Sequence, residues 1–239
     1  MTEKLFLTDA YARDVTADVV AHTAEGGIVL DRSVFYPTGG GQPGDSGSIA
    51  WAGGAMSIAT TIKGEGDQIV LIPAEPNALP PVGVAVDVSL DWDRRYAHMR
   101  MHTALHLLSV VIPYGVTGGS IGAQRGRLDF NMEDAPDDRE AIEDTLNSHV
   151  SADMWVSEEW ITEAELDANP GIVKTLSVKP PRGAGRIRLV RVGQGSGTVD
   201  LQPCGGTHVA RTGEIGALRL GKIEKKGRMN RRVYLHFDS

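Results

Sequence analysis

The chain has 239 residues, of which 41% are hydrophobic and 23% charged, an ordinary composition for a globular protein of one or two domains. No apolar run approaches the roughly 18 residues of a membrane span, and the N-terminus lacks a basic start followed by a long apolar stretch. The single cysteine, Cys204, excludes an intramolecular disulfide. We therefore expect a cytoplasmic protein with no secretory signal and no membrane partner.

The formal net charge of −7 taken alone argues against a nucleic-acid partner. The charge is unevenly distributed, however, because residues 179–232 hold 13 Lys/Arg against 3 Asp/Glu and the rest of the chain is acidic. A basic segment on an acidic body is typical of a surface that binds phosphates. The alternative interpretation is a solvated face without a partner.

Residues 1–90 have a β-rich pattern of short apolar runs separated by Gly, Pro, Asn and Asp clusters. These runs lie at residues 27–30, 68–72 and 82–88. The four prolines between positions 73 and 81 predict a loop between strands. We expect a small β-barrel-like domain over residues 1–90.

The pattern changes at Asp91, and a second, α+β domain is predicted over residues 91–239. Residues 92–112 contain no Gly or Pro and have helical apolar spacing, which predicts a long helix ended by Pro113. Residues 127–131 have strand character, and the acidic residues 137–168 favour helix. Further strand-like runs follow at residues 187–192, 215–220 and 232–237.

Four side chains are candidate metal ligands. His102 and His106 stand four residues apart on one face of the predicted helix, although His98 and His102 form an equally spaced pair. Cys204 and His208 supply a thiol and a further imidazole. Histidine and thiolate together suit Zn²⁺, and three imidazoles with one thiolate complete a shell of four. The alternative is a buried thiol beside an unrelated histidine.

Residues 102–108 (HTALHLL) and 204–208 (CGGTH) resemble the HxxxH…CxxxH signature of the editing domains of alanyl- and threonyl-tRNA synthetases. The likeness continues through residues 186–216. It implies an α+β editing domain of that type, with zinc held by His102, His106, Cys204 and His208.

Residues 35–47 (FYPTGGGQPGDSG) are similar to the glycine-rich motif of alanyl-type editing proteins. The whole chain resembles the medium-length, free-standing AlaX group, so we expect neither an aminoacylation domain nor an ATP site. The resemblance implies hydrolysis of mischarged tRNA(Ala), with seryl-tRNA(Ala) as the expected substrate and glycyl-tRNA(Ala) left open. Within the motif, Thr38 and Gln42 are the candidates for contacting the serine hydroxyl. The alternative is a tight turn in which the glycines are required only by the backbone conformation and do not contact a ligand.

The basic segment 222–232 is interpreted as a glycine-containing turn between two strands. We predict that its cations and three upstream arginines contact the acceptor-stem phosphates of tRNA(Ala). These residues are Arg182, Arg186, Arg188, Lys222, Lys225, Lys226 and Arg228.

Three rival functions remain at this point. One is a hydrolase of the same fold acting on another mischarged tRNA. The second is a tRNA-binding module whose zinc is structural, because a shell of four protein ligands is typical of structural sites. The third, a metalloprotease of the HExxH type, is disfavoured because position 103 is threonine rather than glutamate. The sequence does not decide whether zinc activates water or positions the substrate, nor the oligomeric state or the role of His98.

Overall fold

A computed structural model describes residues 1–176 and 185–238, and the chain forms two compact units, Met1–His98 and Met99–Ser239. The first unit is rich in strands and contains a closed β-barrel, whereas the second combines helices with two antiparallel sheets. The predicted α+β class with an N-terminal barrel is therefore confirmed. The predicted domain boundary near residue 90 stays a prediction.

The barrel of the first unit is closed by hydrogen bonds in the strand order β2-β3-β7-β6-β5-β8. Strand bounds in this unit are β1 (Glu3–Lys4), β2 (Asp14–His22), β3 (Ile28–Leu30), β4 (Arg32–Ser33), β5 (Gly47–Trp51), β6 (Gly54–Lys63), β7 (Ile69–Pro73) and β8 (Ala85–Leu90). Residues alternate between buried and exposed along β8, because successive side chains of a strand point to opposite faces. The inward-facing residues form one apolar cluster that includes Ile28, Ile49 and Leu71.

The long helix α1 (Trp92–Val111) carries the first half of the predicted metal signature. Asp91 begins it, since the Asp91 carboxylate accepts a hydrogen bond from the Arg94 amide at 3.3 Å. The helix ends before Pro113, which agrees with the predicted end. Along the described part of the chain, every helix is too short or too polar to cross a membrane.

The described residues of the second unit also form two sheets and two further α-helices. Their bounds are β9 (Val116–Ser120), β10 (Arg125–Phe130), α2 (Arg139–Ser151), β11 (Val156–Thr162), α3 (Glu163–Ala168), β12 (Arg186–Val192), β13 (Asp200–Pro203), β14 (Leu218–Gly227) and β15 (Asn230–Phe237). One sheet has the order β14-β15-β10-β9 and the other β11-β12-β13. A Cβ added at Gly126 would lie 2.9 Å from side-chain atoms of Leu105 and Met101, so β10 packs closely against α1 at that position.

The prediction of helix throughout residues 137–168 is wrong in its middle. Helices α2 and α3 are present, but β11 between them pairs along its whole length with β12. Two of the acidic side chains in this region form ion pairs with β12. Glu159 pairs with Arg191 at 2.9 Å, and Glu158 pairs with Arg188 at 2.8 Å. Cross-strand pairing therefore overrides local helix propensity.

The interpretation of residues 222–232 as one turn is also corrected. Strand β14 continues to Gly227 and β15 begins at Asn230, so the turn consists of Arg228 and Met229. Lys222, Lys225 and Lys226 are strand residues. The density of charge suggested a loop, but exposed strands of a hairpin also accommodate lysine and arginine.

Candidate functional site

His102, His106, Cys204 and His208 converge on one point, and their ligand atoms all lie within 4.8 Å of one another. Helix α1 supplies the first two, and the loop that follows β13 supplies the other two. The three histidines are buried, with at most 7% of each exposed. His98 lies outside this group, so the four residues that the structure brings together are those of the CxxxH and HxxxH motifs.

The spacing of the donor atoms fits a tetrahedral metal ion. Cys204 Sγ lies 3.5 Å from His102 Nε2 and 3.3 Å from His208 Nε2. Zinc–sulfur and zinc–nitrogen bonds at tetrahedral angles place the two donor atoms about 3.5 Å apart. Because the donor set and its spacing both agree, these four side chains could hold a metal ion.

Asp200 orients the imidazole of His106. His106 Nδ1 lies 2.9 Å from Asp200 Oδ2, and the other carboxylate oxygen accepts from Lys174 Nζ at 2.5 Å. A proton held on Nδ1 by the carboxylate leaves Nε2 as the lone-pair donor toward the group of four. Burial by itself lowers the pKa of His106, but the hydrogen bond to Asp200 raises it to about 9 in the metal-free protein.

Thr103 orients the imidazole of His208 in a comparable way. The Thr103 hydroxyl donates to the carbonyl of Met99 at 3.0 Å and lies 3.1 Å from His208 Nδ1. Since the hydroxyl proton is already used, the oxygen accepts from Nδ1–H, and Nε2 of His208 carries the free lone pair. Thr103, which stands where the HExxH motif of metalloproteases has glutamate, thus orients the ring of His208.

The surroundings of Cys204 favour its thiolate form. Burial alone raises the pKa of its thiol, but the imidazoles of His102 and His208 bring that pKa well below the ordinary value. The amide of Gly206 also donates toward Cys204 Sγ at 3.4 Å. A thiolate is the form of cysteine that binds metals.

The glycine-rich segment of the first unit is a closed loop. The amide of Tyr36 donates to Asp45 Oδ2 at 2.6 Å, and the amide of Asp45 donates to the Tyr36 carbonyl at 3.0 Å. At its tip, Gly39 and Gln42 exchange backbone hydrogen bonds. Gly40 between them has φ +57°, a left-handed conformation that glycine adopts without strain.

Thr38 and Gln42, the predicted contacts of the substrate hydroxyl, occupy different environments within this loop. Thr38 is exposed, but its Oγ1 donates to the Thr61 carbonyl at 3.2 Å and accepts from the Gly44 amide at 2.9 Å. Gln42 is completely buried. A Cβ added at Gly44 would lie 2.0 Å from Thr61 O, so this glycine permits a close backbone approach. The role of Thr38 and Gln42 toward a substrate stays a prediction.

A buried ion pair secures the same loop. Arg95 and Asp45 are both fully buried, and Arg95 Nε donates to Asp45 Oδ2 at 3.0 Å. Arg95 also donates to the carbonyls of Ala10 at 3.0 Å and Val34 at 2.6 Å. A single guanidinium thus joins the loop to two backbone segments of the barrel unit.

Most of the predicted tRNA contacts lie on the surface. The exposed ones are Arg186, Lys222, Lys225, Lys226 and Arg228. Lys222 and Lys226 both pair with Glu224, which reduces their net charge at the surface. Arg125, which the sequence reasoning missed, lies over the ring of Tyr234 at 5.6 Å, and Lys222 approaches the same ring at 5.2 Å. Arg182 lies outside the described residues.

Arg188 differs from the other predicted tRNA contacts because it is only 5% exposed. Its guanidinium donates to the carbonyls of Cys204 and Gly206 and to the carboxylate of Glu158. A phosphate would have to displace these partners to reach it.

Comparison with known proteins places this geometry in a family. Over 98% of both chains, the sequence is 34% identical to the alanyl-tRNA editing protein AlaX-M of Methanosarcina acetivorans. The AlaX-M protein of Saccharolobus solfataricus is likewise 34% identical over 98% of both chains. The chain belongs to the AlaX-M family. It is also 38% identical to the alanine–tRNA ligase of Pyrobaculum arsenaticum, over 94% of this chain and 25% of the ligase.

Two family models match separate segments of this AlaX-M family member. Residues 5–94, with the glycine-rich loop, match the model of class II (A) tRNA synthetases. Residues 187–234, with Cys204 and His208, match the second additional domain of threonyl- and alanyl-tRNA synthetases. His102 and His106 fall between the two matches, whereas the AlaX-M relatives align over 98% of the chain.

Sequence reasoning missed the residues that orient the ligands in this member of the AlaX-M family. Asp200 and Thr103 each touch a histidine of the group of four, and Gln202 Nε2 donates to Asp200 Oδ2 at 2.8 Å. Their one sequence signal is proximity to the motifs, since Asp200 stands shortly before Cys204 and Thr103 lies within HxxxH.

Proposed function

We propose that the protein is a trans-acting, zinc-dependent deacylase that hydrolyses the ester linking a wrong amino acid to tRNA(Ala). The observation that carries the proposal is the group His102, His106, Cys204 and His208, in a chain that matches AlaX-M editing proteins along nearly their full length. The donor set of three imidazoles and one thiolate favours Zn²⁺ over harder cations. The match to full-length editing proteins, and to only a quarter of the ligase, favours action in trans.

The protein's own residues orient the proposed ligand atoms. Asp200 and Thr103 fix the tautomers of His106 and His208, and neighbouring imidazoles keep Cys204 as a thiolate. When bound, zinc supplies a positive charge that acidifies a water molecule or holds a substrate group. Burial of the three histidines limits the access of bulk water, which strengthens electrostatic interactions at the ester.

The proposed substrate is seryl-tRNA(Ala). An activation pocket shaped for alanine rejects an added hydroxyl weakly, by about 100-fold, so serine is an expected error. An editing site that hydrogen-bonds that hydroxyl spares alanine, because alanine leaves buried polar groups without partners. Thr38 and Gln42 in the glycine-rich loop are the proposed contacts. The hydroxyl of Thr38 is already part of the loop, so we propose that it acts by shaping the loop as well as by direct contact.

The exposed cations of β14 and of the turn that follows it are the proposed phosphate contacts. Lys222, Lys225, Lys226 and Arg228 lie on or beside one hairpin, and Arg228 has a side chain that is 85% exposed. Arg125, Lys222 and Tyr234 add a face on which cations flank an aromatic ring. Such surfaces bind nucleic-acid backbones and stack bases.

The test is deacylation of seryl-, glycyl- and alanyl-tRNA(Ala) by the purified protein, with and without prior removal of zinc. We expect zinc-dependent loss of serine with alanine spared, and faster cleavage of the glycyl ester would reassign the substrate. A second candidate, a tRNA-binding module with structural zinc, is favoured by the shell of four protein ligands. Binding of zinc and tRNA without cleavage of any of the three esters would establish that alternative.

A further inference from the structure

We infer that Arg188 is a positioning residue for the metal-ligating loop 204–208, rather than a contact of tRNA phosphate. The inference rests on the proposed metal site, but it concerns how the protein builds that site and can be tested without any tRNA substrate.

The loop leaves the sheet where backbone pairing stops. Strand β13 ends at Pro203, whose partner across the ladder is Leu189. From Cys204 onward the loop carbonyls need donors from outside a strand ladder. Arg188 Nη1 donates to the carbonyls of Cys204 and Gly206, both at 2.9 Å.

The backbone of Arg188 also forms a hydrogen bond with the loop. The amide of Cys204 donates to the Arg188 carbonyl at 3.2 Å. Cys204 is therefore fixed on both sides of its Cα by one residue of β12. Because Sγ is attached to that Cα through a single further atom, fixing the backbone restricts where the thiolate lies.

Glu158 on β11 completes the arrangement. Arg188 Nη2 donates to Glu158 Oε1 at 2.8 Å, and the arginine side chain is only 3% exposed. A carboxylate partner offsets the cost of burying the guanidinium charge. Two carbonyls and one carboxylate on one guanidinium need a planar fork of several donors, which lysine cannot supply.

A matched control stands on the same strand. Arg191 also lies on β12 and pairs with a glutamate of β11, Glu159, at 2.9 Å. Arg191 Nη1 also donates to Thr198 Oγ1 at 2.9 Å, and Thr198 lies outside the loop 204–208. Replacing Arg191 therefore removes a comparable interstrand ion pair without touching the carbonyls of Cys204 and Gly206.

The experiment compares Arg188→Met and Arg188→Lys with Arg191→Met. Zinc affinity is measured by competition with a chromogenic chelator, and the cobalt-substituted proteins are compared by the thiolate-to-cobalt absorption band. We expect Arg188→Met to weaken zinc binding by about 10- to 100-fold and to alter the band, as loss of a residue that orients ligands does. Arg188→Lys should recover only part of the affinity, and Arg191→Met should match the wild type.

tRNA binding supplies the second readout. With zinc at saturating concentration, Arg188→Met should bind tRNA with wild-type affinity and an unchanged salt dependence. Wild-type zinc affinity together with a reduced salt slope would overturn the inference and restore Arg188 as a phosphate contact. If Arg188→Met does not fold, Arg188→Lys carries the comparison, and wild-type metal affinity with an unchanged cobalt band in that variant would equally overturn it.

Failure of the proposed function would look different. If the wild type binds zinc and cleaves no ester while Arg188→Met loses zinc affinity, the positioning role stands and the hydrolase assignment falls.

Discussion

His106 Nδ1 and Asp200 Oδ2 lie 2.9 Å apart across a buried gap between α1 and β13. Lys174 and Gln202 donate to the same carboxylate, at 2.5 and 2.8 Å. Burial by itself raises the pKa of Asp200, but His106 and Lys174 lower it to about 2, so the carboxylate is ionised throughout the neutral range. A carboxylate on the outer nitrogen of a metal-binding histidine fixes its ring and raises its basicity.

We predict that Asp200→Asn weakens zinc binding by about 10- to 100-fold, because the amide cannot supply the charge that orients His106. Chelator competition measures the affinity directly. Asp67→Asn is a suitable control, since Asp67 pairs with Lys4 in the first unit. Equal zinc affinity in the Asp200 and Asp67 variants would show that the contact with His106 has no role in metal binding.

Thr38→Val should reduce the preference for seryl- over alanyl-tRNA(Ala) by about tenfold, close to the worth of one hydrogen bond. The variant loses the bonds to the Thr61 carbonyl and from the Gly44 amide. Thr38→Ser retains the hydroxyl and should keep most of the selectivity. Zinc content should be unchanged in both. Initial rates of deacylation on the two esters provide the ratio, and an unchanged ratio for Thr38→Val would remove this residue from discrimination.

The triple variant Lys225→Ala/Lys226→Ala/Arg228→Ala should bind tRNA more weakly and with a shallower dependence on salt. Each lost phosphate contact lowers the slope of log K against log[salt] by roughly 0.7–0.9. Binding titrations at several salt concentrations measure it. Lys4→Ala/Arg32→Ala removes cations that are paired with carboxylates in the first unit and should leave the slope unchanged. If the salt dependence of tRNA binding is the same in the triple variant as in the wild type, tRNA binds to another surface.

Asp129 provides a pH-dependent contribution to stability in the second unit. Burial by itself raises its pKa, but the guanidinium groups of Arg232 and Arg127 lower it below the ordinary value. A lowered pKa in the folded state means that the stabilisation is complete above about pH 3.9, the unfolded value, and disappears as the pH falls through the folded pKa.

We therefore expect Asp129→Asn to lower the free energy of unfolding by about 1–3 kcal/mol at pH 7, with the difference from wild type shrinking near pH 3. Denaturant unfolding of the zinc-free proteins at both pH values measures the difference. Asp144→Asn, at an exposed position of α2, controls for the loss of one negative charge. An equal difference in the free energy of unfolding at pH 3 and pH 7 would show that the stabilisation by Asp129 does not depend on its charge.

The sequence predicted those features that depend on local pattern. The absence of Gly and Pro located α1, and the four-residue spacing placed His102 and His106 on one face of it. The β-rich pattern and turn residues of the first ninety positions indicated the barrel. Whether the group of four binds zinc stays a prediction.

Other features depend on contacts between distant segments, which no local pattern reports. Strand β11 (VSEEWIT) lies within the acidic region predicted as helix, but it contains four strand-favouring residues and pairs with β12 along its whole length. The basic run around Arg188 predicted a phosphate contact, and it did not indicate the hydrogen bonds that Arg188 donates to the carbonyls of Cys204 and Gly206. In the sequence, Asp200 and Thr103 are ordinary polar residues. Only the fold shows that each contacts a histidine of the group of four.

The chain contains a single sulfhydryl, and that sulfur stands at the centre of the proposed catalytic apparatus. Neighbouring imidazoles lower the pKa of its thiol, which favours the thiolate, the form that peroxide oxidises most readily to a sulfenic acid. With no second cysteine in the sequence to form an internal disulfide, recovery has to come from a thiol supplied by another molecule. Oxidation of this one sulfur atom would remove one of the four proposed metal ligands.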